Sequence, residues 1–408
     1  MPVPLRRNRD FILLQTGQAL STIGSEASAV AYTLLVLELT DSAALAGLVG
    51  FARIFPYALF ALPAGVAVDR MNRKRLMIVS DLVRVVVVGG LGVLVATGHV
   101  TYAVIPVVAF IEGTMFVIFN IAEVGAVRSV VPASQLPDAF ATEQARYSTV
   151  VLAGPPLGGA LFGIGRALPF IVDAVSYAFS LGTLVAMRTP FQEEREPSTT
   201  SLREEVREGL AWLWHQKFLR TCAILFAASN FSFGALQLTL VVVAQEQGLS
   251  SAAIGGLIAI TGALSLLGSF AAPRFYRRFS LRAVIVAASW LGVVIAVFVI
   301  WPNPYALLAG AAPVIFFTPT TNSMIIAYRT AVVPDRLQGR VTSVARSLAL
   351  MGLPLGPLLA GVLLQAFSGR ATVAFLAVWL LGVAIVTTVS PSIRAAPNFR
   401  DAVGEAVS

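Results

Sequence analysis

Charge is what this chain of 408 residues has least of. Asp, Glu, Lys and Arg make up 12% of it, about half the share usual in a water-soluble domain, which excludes an ordinary hydrated surface. Cysteine is represented by Cys222 alone, in an apolar run, so an internal disulfide is excluded. His99 and His215 are too few and too far apart for a metal site or for a base with its nucleophile, and no GxxxxGK phosphate loop is present. No metal, no cofactor and no direct ATP drive are therefore expected, and an enzyme is not the expected class. What fills the chain instead is apolar: 57% hydrophobic residues and a mean hydropathy of +0.81. Lipid is the expected solvent.

Apolar runs recur at 10–36, 44–67, 77–97, 102–123, 146–165, 168–187, 219–243, 253–272, 281–301, 304–327, 344–367 and 371–390. Most approach the roughly 20 residues a helix needs to cross a bilayer core of about 30 Å. The runs do not alternate polar with apolar, and a helix satisfies its own backbone in lipid, so helices rather than strands are predicted. The first run is too long for a cleavable signal and lacks a small-residue cleavage site. The expectation is an all-α polytopic membrane protein with about twelve transmembrane helices in two six-helix bundles.

Positive charge orders these spans. With a cytoplasmic amino terminus, the outward loops hold only Arg166 and Arg370, Arg53 and Arg84 lie inside spans, and the other Lys and Arg of the 29 fall on or near the inner side. That is the asymmetry of the positive-inside rule, and an even span number returns both termini to the cytoplasm. The net charge of +8 thus reads as topological, with no nucleic-acid partner.

The one long polar stretch, 188–217, divides the chain. Leu202, Val206, Leu210 and Leu213 recur there at helical spacing opposite Arg203, Glu204, Arg207 and Glu208, predicting a helix along the cytoplasmic membrane surface. The domains expected are a bundle over 1–187, a linker over 188–218, a second bundle over 219–390 and a cytoplasmic tail over 391–408. The bundles repeat: an offset of 202 residues relates Pro132 to Pro334, Gly154 to Gly356, Pro155 to Pro357 and Gly159 to Gly361. Duplicated bundles that hold a substrate near the midplane are a recurrent transporter plan.

Between spans 2 and 3 stands Gly65-Val66-Ala67-Val68-Asp69-Arg70-Met71-Asn72-Arg73-Lys74-Arg75, with a degenerate copy from Gly268 to Arg278 in which Ala272 replaces the acid. Span 5 carries Gly154-Pro155-Pro156-Leu157-Gly158-Gly159. The chain resembles the major facilitator superfamily over nearly its whole length: the first string matches the superfamily's loop signature and the second its antiporter signature. The resemblance implies a gating role for Gly65, Asp69, Arg70, Arg73 and Lys74, with Asp69 held against a helix N-terminus; the same cations also read as positive-inside anchors. The glycines of span 5 permit close helix approach and its prolines bend the helix, which serves packing as well as gating.

Ionisable residues at lipid depth are costly and face a cavity or a partner. In span 1, Gln15, Gln18, Thr22, Glu26 and Thr33 share one helical stripe. Glu26 lies roughly 22 Å from the inner surface and Arg53 roughly 14 Å from the outer one, so in a slab of about 30 Å their depths differ by only about 6 Å. Span 4 adds Glu112 at mid-depth on a face with Phe116, Phe119 and Glu123, and span 6 adds Asp173. A carboxylate that gains and loses an arginine partner can load and release a proton, which makes Glu26, Arg53, Glu112 and Asp173 the proton-coupling candidates; a static ion pair that fixes helix packing is the other reading. Asp81 and Arg84, at i and i+3, are expected to pair locally or to brace the basic loop.

The second half has no acid in its spans. Asn230, Phe233 and Gln237 share a face of span 7, and Thr321 and Asn322 lie in span 10 near Phe316 and Phe317. With Gln18, Thr22, Phe116 and Phe119, these are the expected cavity residues, suited to an amphiphilic ligand, although helix packing accounts for them as well. Within the superfamily the chain looks most like the drug:proton antiporter group that includes macrolide exporters and the enterobactin exporter. The shared features are the Val-Val-Pro loops after spans 4 and 10, the Gly-Leu-Ala-Trp-Leu helix and Asp81-Leu82-Val83-Arg84. Here, however, the membrane arginine is in span 2 rather than span 4. The resemblance implies a monomer in a bacterial inner membrane that exports an amphiphilic drug or secondary metabolite against a proton gradient. A siderophore or lipid-like cargo is the alternative, and nutrient symport is less expected.

Overall fold

A computed structural model describes residues 4–191, 202–334 and 337–396. The acidic and serine-rich stretch after Phe191, Arg336 and the end of the tail lie outside the described residues. Among the described residues every regular element is helical. The six helices of the first half are α1 (Arg9–Thr40), α2 (Ala43–Arg70), α3 (Arg73–Ala96), α4 (Val104–Val130), α5 (Leu136–Ile164) and α6 (Leu168–Ala186). After α7 (Leu202–His215) come α8 (Lys217–Glu246), α9 (Ser251–Arg278), α10 (Leu281–Gly292), α11 (Val297–Ile300), α12 (Pro304–Val332), α13 (Gln338–Leu350), α14 (Gly352–Ala366), α15 (Gly369–Val389) and the short α16 (Pro391–Arg394).

Among the described residues eleven helical segments are long and apolar enough to cross a membrane. Helix α12 is long enough as well, at 29 residues, but Pro313, Pro319 and its threonines lower its hydropathy. Polar residues between the apolar runs start the helices: the side chains of Asn8, Ser42, Asn72, Ser280, Asn303 and Ser368 each accept a backbone N–H three residues on.

Span ends differ from expectation at several places, among them the start of α5 at Leu136 rather than 146 and the end of α9 at Arg278 rather than 272. Helix α4 runs to Val130 rather than 123, and α1 to Thr40 rather than 36. Hydropathy falls at the first charge, whereas backbone hydrogen bonding continues through it, so Glu123 stands inside the helix instead of at its end. Two spans are interrupted. A 3-10 turn, Val293–Ala296, separates α10 from α11, and α13 meets α14 at Met351, where Pro354 lacks the N–H that would reach back to Leu350.

The chain divides into two compact units, one of residues 1–199 with 249–259 and the other of residues 200–248 with 260–408. In unit 1, α1 packs on α5 and α6, α2 on α4, and α3 on α4 and α6. Small residues set these distances. A β-carbon at Gly24 would lie 3.0 Å from the Asp173 Cα, one at Gly113 would lie 3.1 Å from the Arg53 carbonyl carbon, and one at Gly158 would lie 2.7 Å from the Ala27 Cα. The first turns of α9 belong to this unit too, and a β-carbon at Gly255 would lie 3.0 Å from the carbonyl carbon of Pro155.

In unit 2, α8 packs on α14 and α13, and α10 on α12 and α15. Helix α7 belongs to this unit: Leu213 is buried in a cluster with Leu219, Cys222, Val341 and Val344, and Val206 and Trp212 pack against it. Arg340 of α13 reaches Glu208, and its Nη2 lies 3.4 Å from Glu205 Oε1. One edge of the amphipathic helix is thus spent on protein, while Trp214 stays exposed beneath the Arg220 guanidinium, 5.5 Å from its ring centre. Arg340→Ala removes a partly exposed ion-pair pair that contributes about 1 kcal/mol or less. The expected result is faster amide exchange across 204–213 with little change elsewhere, read by hydrogen-exchange mass spectrometry, and a weaker contrast between variant and wild type at high salt.

Candidate functional site

The interior of unit 1 holds a chain of polar side chains that starts at α2 and α4. Glu112 of α4 is 2% exposed. Arg53 of α2 points its Nη2 at Glu112 Oε1, 3.3 Å away, and the same nitrogen donates to the Ser25 carbonyl at 2.9 Å. The absence of a side chain at Gly113 is what lets α2 come this close. Tyr177 of α6 donates to Glu112 Oε1 at 3.3 Å and shares a 2.7 Å hydrogen bond with the Ser25 hydroxyl. Tyr32, buried against Phe170 with ring centres 5.1 Å apart, brings its hydroxyl near the same carboxylate.

Glu26 forms no ion pair among the described residues, but it lies within electrostatic reach of both Arg53 and Glu112. Its β-carbon fills the space beside Gly154 of α5, so the helix 5 signature seats this acid directly. One guanidinium therefore serves two carboxylates, one in contact and one at a distance. The mid-membrane polar atoms are paired sparsely: Glu112 Oε2 and Arg53 Nε have no protein partner.

Asp173, fully buried, accepts from the Ser28 hydroxyl at 2.6 Å and lies beside Ser176. It sits on the α1–α6 seam, where Gly17, Gly24 and Ser28 of α1 meet Asp173, Ser176, Ser180 and Thr183 of α6. Gln18, at the edge of the α1 stripe, turns to this seam and donates to Ser180 Oγ at 3.2 Å, and Ser180 interacts in turn with Asp81. Asp81 and Arg84 of α3 pair with each other as the spacing predicts. Arg84 does more than that: its guanidinium lies 4.3 Å from the Tyr177 ring centre and 4.8 Å from that of Phe119. A sequence reading confined to charges missed Ser25, Ser28, Tyr32 and Tyr177. The signal was present as Asp173, Ser176, Tyr177, Ser180 and Thr183 at helical spacing.

The loop-signature cations turn toward the segment that follows α6. Lys74 Nζ donates to the Met187 carbonyl at 2.6 Å, and Arg73 Nη1 to the Phe191 carbonyl at 3.3 Å. Ser129 also donates to Phe191, and Asp10 Oδ2 accepts from the amides of Arg188 and Thr189 and from the Thr189 hydroxyl. Arg70 is exposed, Gly65 faces open space, and the Asp69 side chain lies outside the described residues. Asp10→Ala strips three hydrogen bonds from residues 188–189. The expected loss is about 1–2 kcal/mol locally, seen as faster limited proteolysis within 187–201 than in wild type.

The remaining expected cavity residues are dispersed. Phe116 is exposed and Phe119 is buried beneath Arg84. Thr22 hydrogen-bonds back to the Gln18 carbonyl, Asn230 donates to the Ala349 carbonyl at 2.8 Å, and Thr321 is buried against its own helix. Phe233 and Gln237 line a narrow cleft of unit 2 with Leu240, Thr261, Leu307 and Ile315, and Asn322 is exposed. Pro155 stands across from Gly255, and Gly159 faces Ser251.

Among the described residues, eleven helical segments of membrane-spanning length, divided between two units, define a polytopic membrane protein. The sequence matches the family description Major Facilitator Superfamily over residues 16–302 and again over 229–404, and the chain belongs to the major facilitator superfamily of transporters. It is 26% identical over 382 residues to the multidrug efflux pump Tap of Mycolicibacterium fortuitum, covering 91% of this chain and 93% of that one. To macrolide efflux protein A of Streptococcus pyogenes it is 26% identical over 226 residues, 55% of each chain. Among solved structures it resembles a bacterial homologue of the human lysosomal transporter Spinster, with a TM-score of 0.73 at 16% identity over 95% of this chain and 97% of that one. A bacterial homologue of the iron transporter ferroportin gives 0.72 at 15% identity over 95% of this chain and 99% of that one. These structures show the shared fold.

Proposed function

We infer that the chain is a proton-coupled exporter of amphiphilic, cationic molecules, drugs or secondary metabolites, working by alternating access. The observation that carries this reading is the sharing of Arg53 between Glu112 and Glu26 in the interior of unit 1. Within this trio one cation and two carboxylates leave one negative charge uncompensated; Asp173, held by Ser28 on the α1–α6 seam, is a further acid within reach of Arg53 and Glu112. In a low dielectric the trio's charge is neutralised by one proton or by one cationic head group, and a second neutralising charge is opposed. Proton and cargo therefore compete for one place, which is what antiport requires. The names of the efflux relatives support export as the direction. The cation-rich end of unit 1, with Arg73 and Lys74, faces the cytoplasm in this reading, as do both termini, in a bacterial inner membrane.

The reading is tested with purified protein in liposomes, ethidium as the cargo and an imposed proton gradient. Ethidium movement that follows the gradient, together with proton flux in the opposite direction, supports antiport. Ethidium movement indifferent to the gradient makes the protein a facilitator. Unchanged driven transport in both Glu26→Gln and Glu112→Gln removes these acids from the coupling.

A further inference from the structure

Helix α4 carries a second acid that the exchange described above does not use. Glu123 follows Glu112 by eleven residues, three turns of helix, so the two carboxylates project from one face about 16 Å apart along the axis. Glu123 is 4% exposed. Arg146 of α5 donates from Nη2 to Glu123 Oε1 at 2.9 Å, and Glu143, one turn earlier on α5, lies 3.9 Å from the same nitrogen. This repeats the arrangement around Arg53: one guanidinium, one carboxylate in contact and a second in reserve.

The packing brings another polar group to this level. Asn8 donates to the Val130 carbonyl where α1 begins and α4 ends, and seven residues along each antiparallel helix stand Gln15 and Glu123. Glu26 packs at Gly154 of the parallel α5, and eleven residues back along each helix stand Gln15 and Glu143. Both amide atoms of Gln15 are buried without a protein partner, and so are Nε and Nη1 of Arg146. Such donors and acceptors, held out of water, fit a place where hydrogen bonds are exchanged rather than fixed.

The other charges around Glu123 are few. From α3, Arg84 acts on Glu123 as well as on Glu112, and its guanidinium covers Phe119, which lies between the two acids on α4. Arg73 lies against Gly125, two residues further along α4. From α5 come Arg146 and Glu143; from α1, the neutral Gln15; on α2, Arg53 stands at the level of Glu112, and the Asp69 side chain is outside the described residues.

Resting on the antiport reading, we propose that Glu123 with Arg146 is a second proton-exchange station, in series with Glu112 and Arg53 and placed between them and the end of unit 1 where α1 begins. The charges balance at each step. A proton arriving at the Glu123 carboxylate forms an O–H bond and breaks the ion pair, Arg146 passes to Glu143, and the trio goes from one net negative charge to none. Loss of the proton on the side of that end restores the Arg146–Glu123 pair.

The test uses the full-length protein in liposomes, with ethidium as the cargo, and two readouts. Glu123→Gln is expected to lower proton-driven ethidium transport by about tenfold while gradient-free ethidium counterflow stays within about twofold of wild type. Glu123→Asp, which keeps the titrating group, restores the driven rate. Infrared difference spectra of wild type between acid and alkaline pH contain a titrating carboxyl band that Glu123→Gln removes. Unchanged driven transport in Glu123→Gln overturns the station, and so does an equal fall in driven transport and counterflow without rescue by aspartate, which marks a packing role. Failure of the antiport reading is recognised separately, as the absence of driven transport in wild type. In that case loss of the titrating band in Glu123→Gln still supports a proton site at this position, and an unaltered band contradicts it.

Discussion

Glu112→Gln is expected to cut proton-driven ethidium export by at least about tenfold and to weaken ethidium binding to the level of the protonated wild type. Glutamine is nearly the same size as glutamate and keeps a carbonyl acceptor for Arg53 and Tyr177, so the packing of α2, α4 and α6 is preserved. What it removes is a negative charge and the ability to take up a proton. The trio of Arg53, Glu26 and residue 112 then carries no net charge, and a cationic cargo no longer competes with a proton for it. The pH dependence follows with its sign. In wild type, deprotonation exposes the negative charge that attracts the cargo, so apparent affinity for ethidium rises with pH. In Glu112→Gln that rise is flattened. Equilibrium ethidium binding to purified protein at several pH values reads this directly, and driven export at the wild-type rate would remove Glu112 from the mechanism.

The second large effect is steric. In Gly113→Leu the new side chain meets α2 head on, because even a β-carbon there would sit 3.1 Å from the Arg53 carbonyl carbon and 3.3 Å from Pro56 Cγ. Backbone cannot yield as a flexible side chain can, so α2 must move away from α4. Overpacking of this kind costs about 1–3 kcal/mol, and here it also draws Arg53 off Glu112, leaving a buried carboxylate without its cation. The expected outcome is a lower thermal unfolding temperature in detergent together with loss of driven transport. Gly163→Leu is the control, since nothing lies within 4 Å of the β-carbon position there. Equal unfolding temperatures for the two variants would contradict the packing argument.

These effects differ in how far the sequence reveals them. The membrane-spanning helices were legible because apolar length is a one-dimensional property, and the family because its signatures are contiguous. The approach of Arg53 to Glu112 was legible as a matter of depth, since both positions can be counted from span ends. What depth does not give is which helix faces which. Gln18 and Glu26 share a stripe of α1, yet one turns to α6 and the other to α5, because the stripe is wide enough for its two edges to meet different neighbours. The same limit hid Tyr177 and Ser25, which carry no charge, and the reach of Arg84 from its local partner to two aromatic rings. Glu123 was misplaced for another reason: a span judged by hydropathy ends where charges begin, and α4 continues past them. Lys74 and Arg73, read as a gate or as lipid anchors, bind backbone carbonyls of residues far away in sequence, and no motif announces that.

That arrangement also explains how the terminal end of unit 1 is built. Carbonyls after α6 have no further turn to satisfy them, and they are met by side chains from α3 and α4, while Asp10 of α1 accepts the amides of the same segment. The loop signature thus has a structural task within its own unit, alongside any gating task.

The central claim is that cargo and proton neutralise the same buried charge. The most direct measurement adds ethidium to purified protein in weakly buffered detergent near neutral pH and records the proton released as ethidium binds. The account predicts release in proportion to the ethidium bound, strongly reduced in Glu112→Gln. Saturable ethidium binding by wild type with no proton release would contradict it.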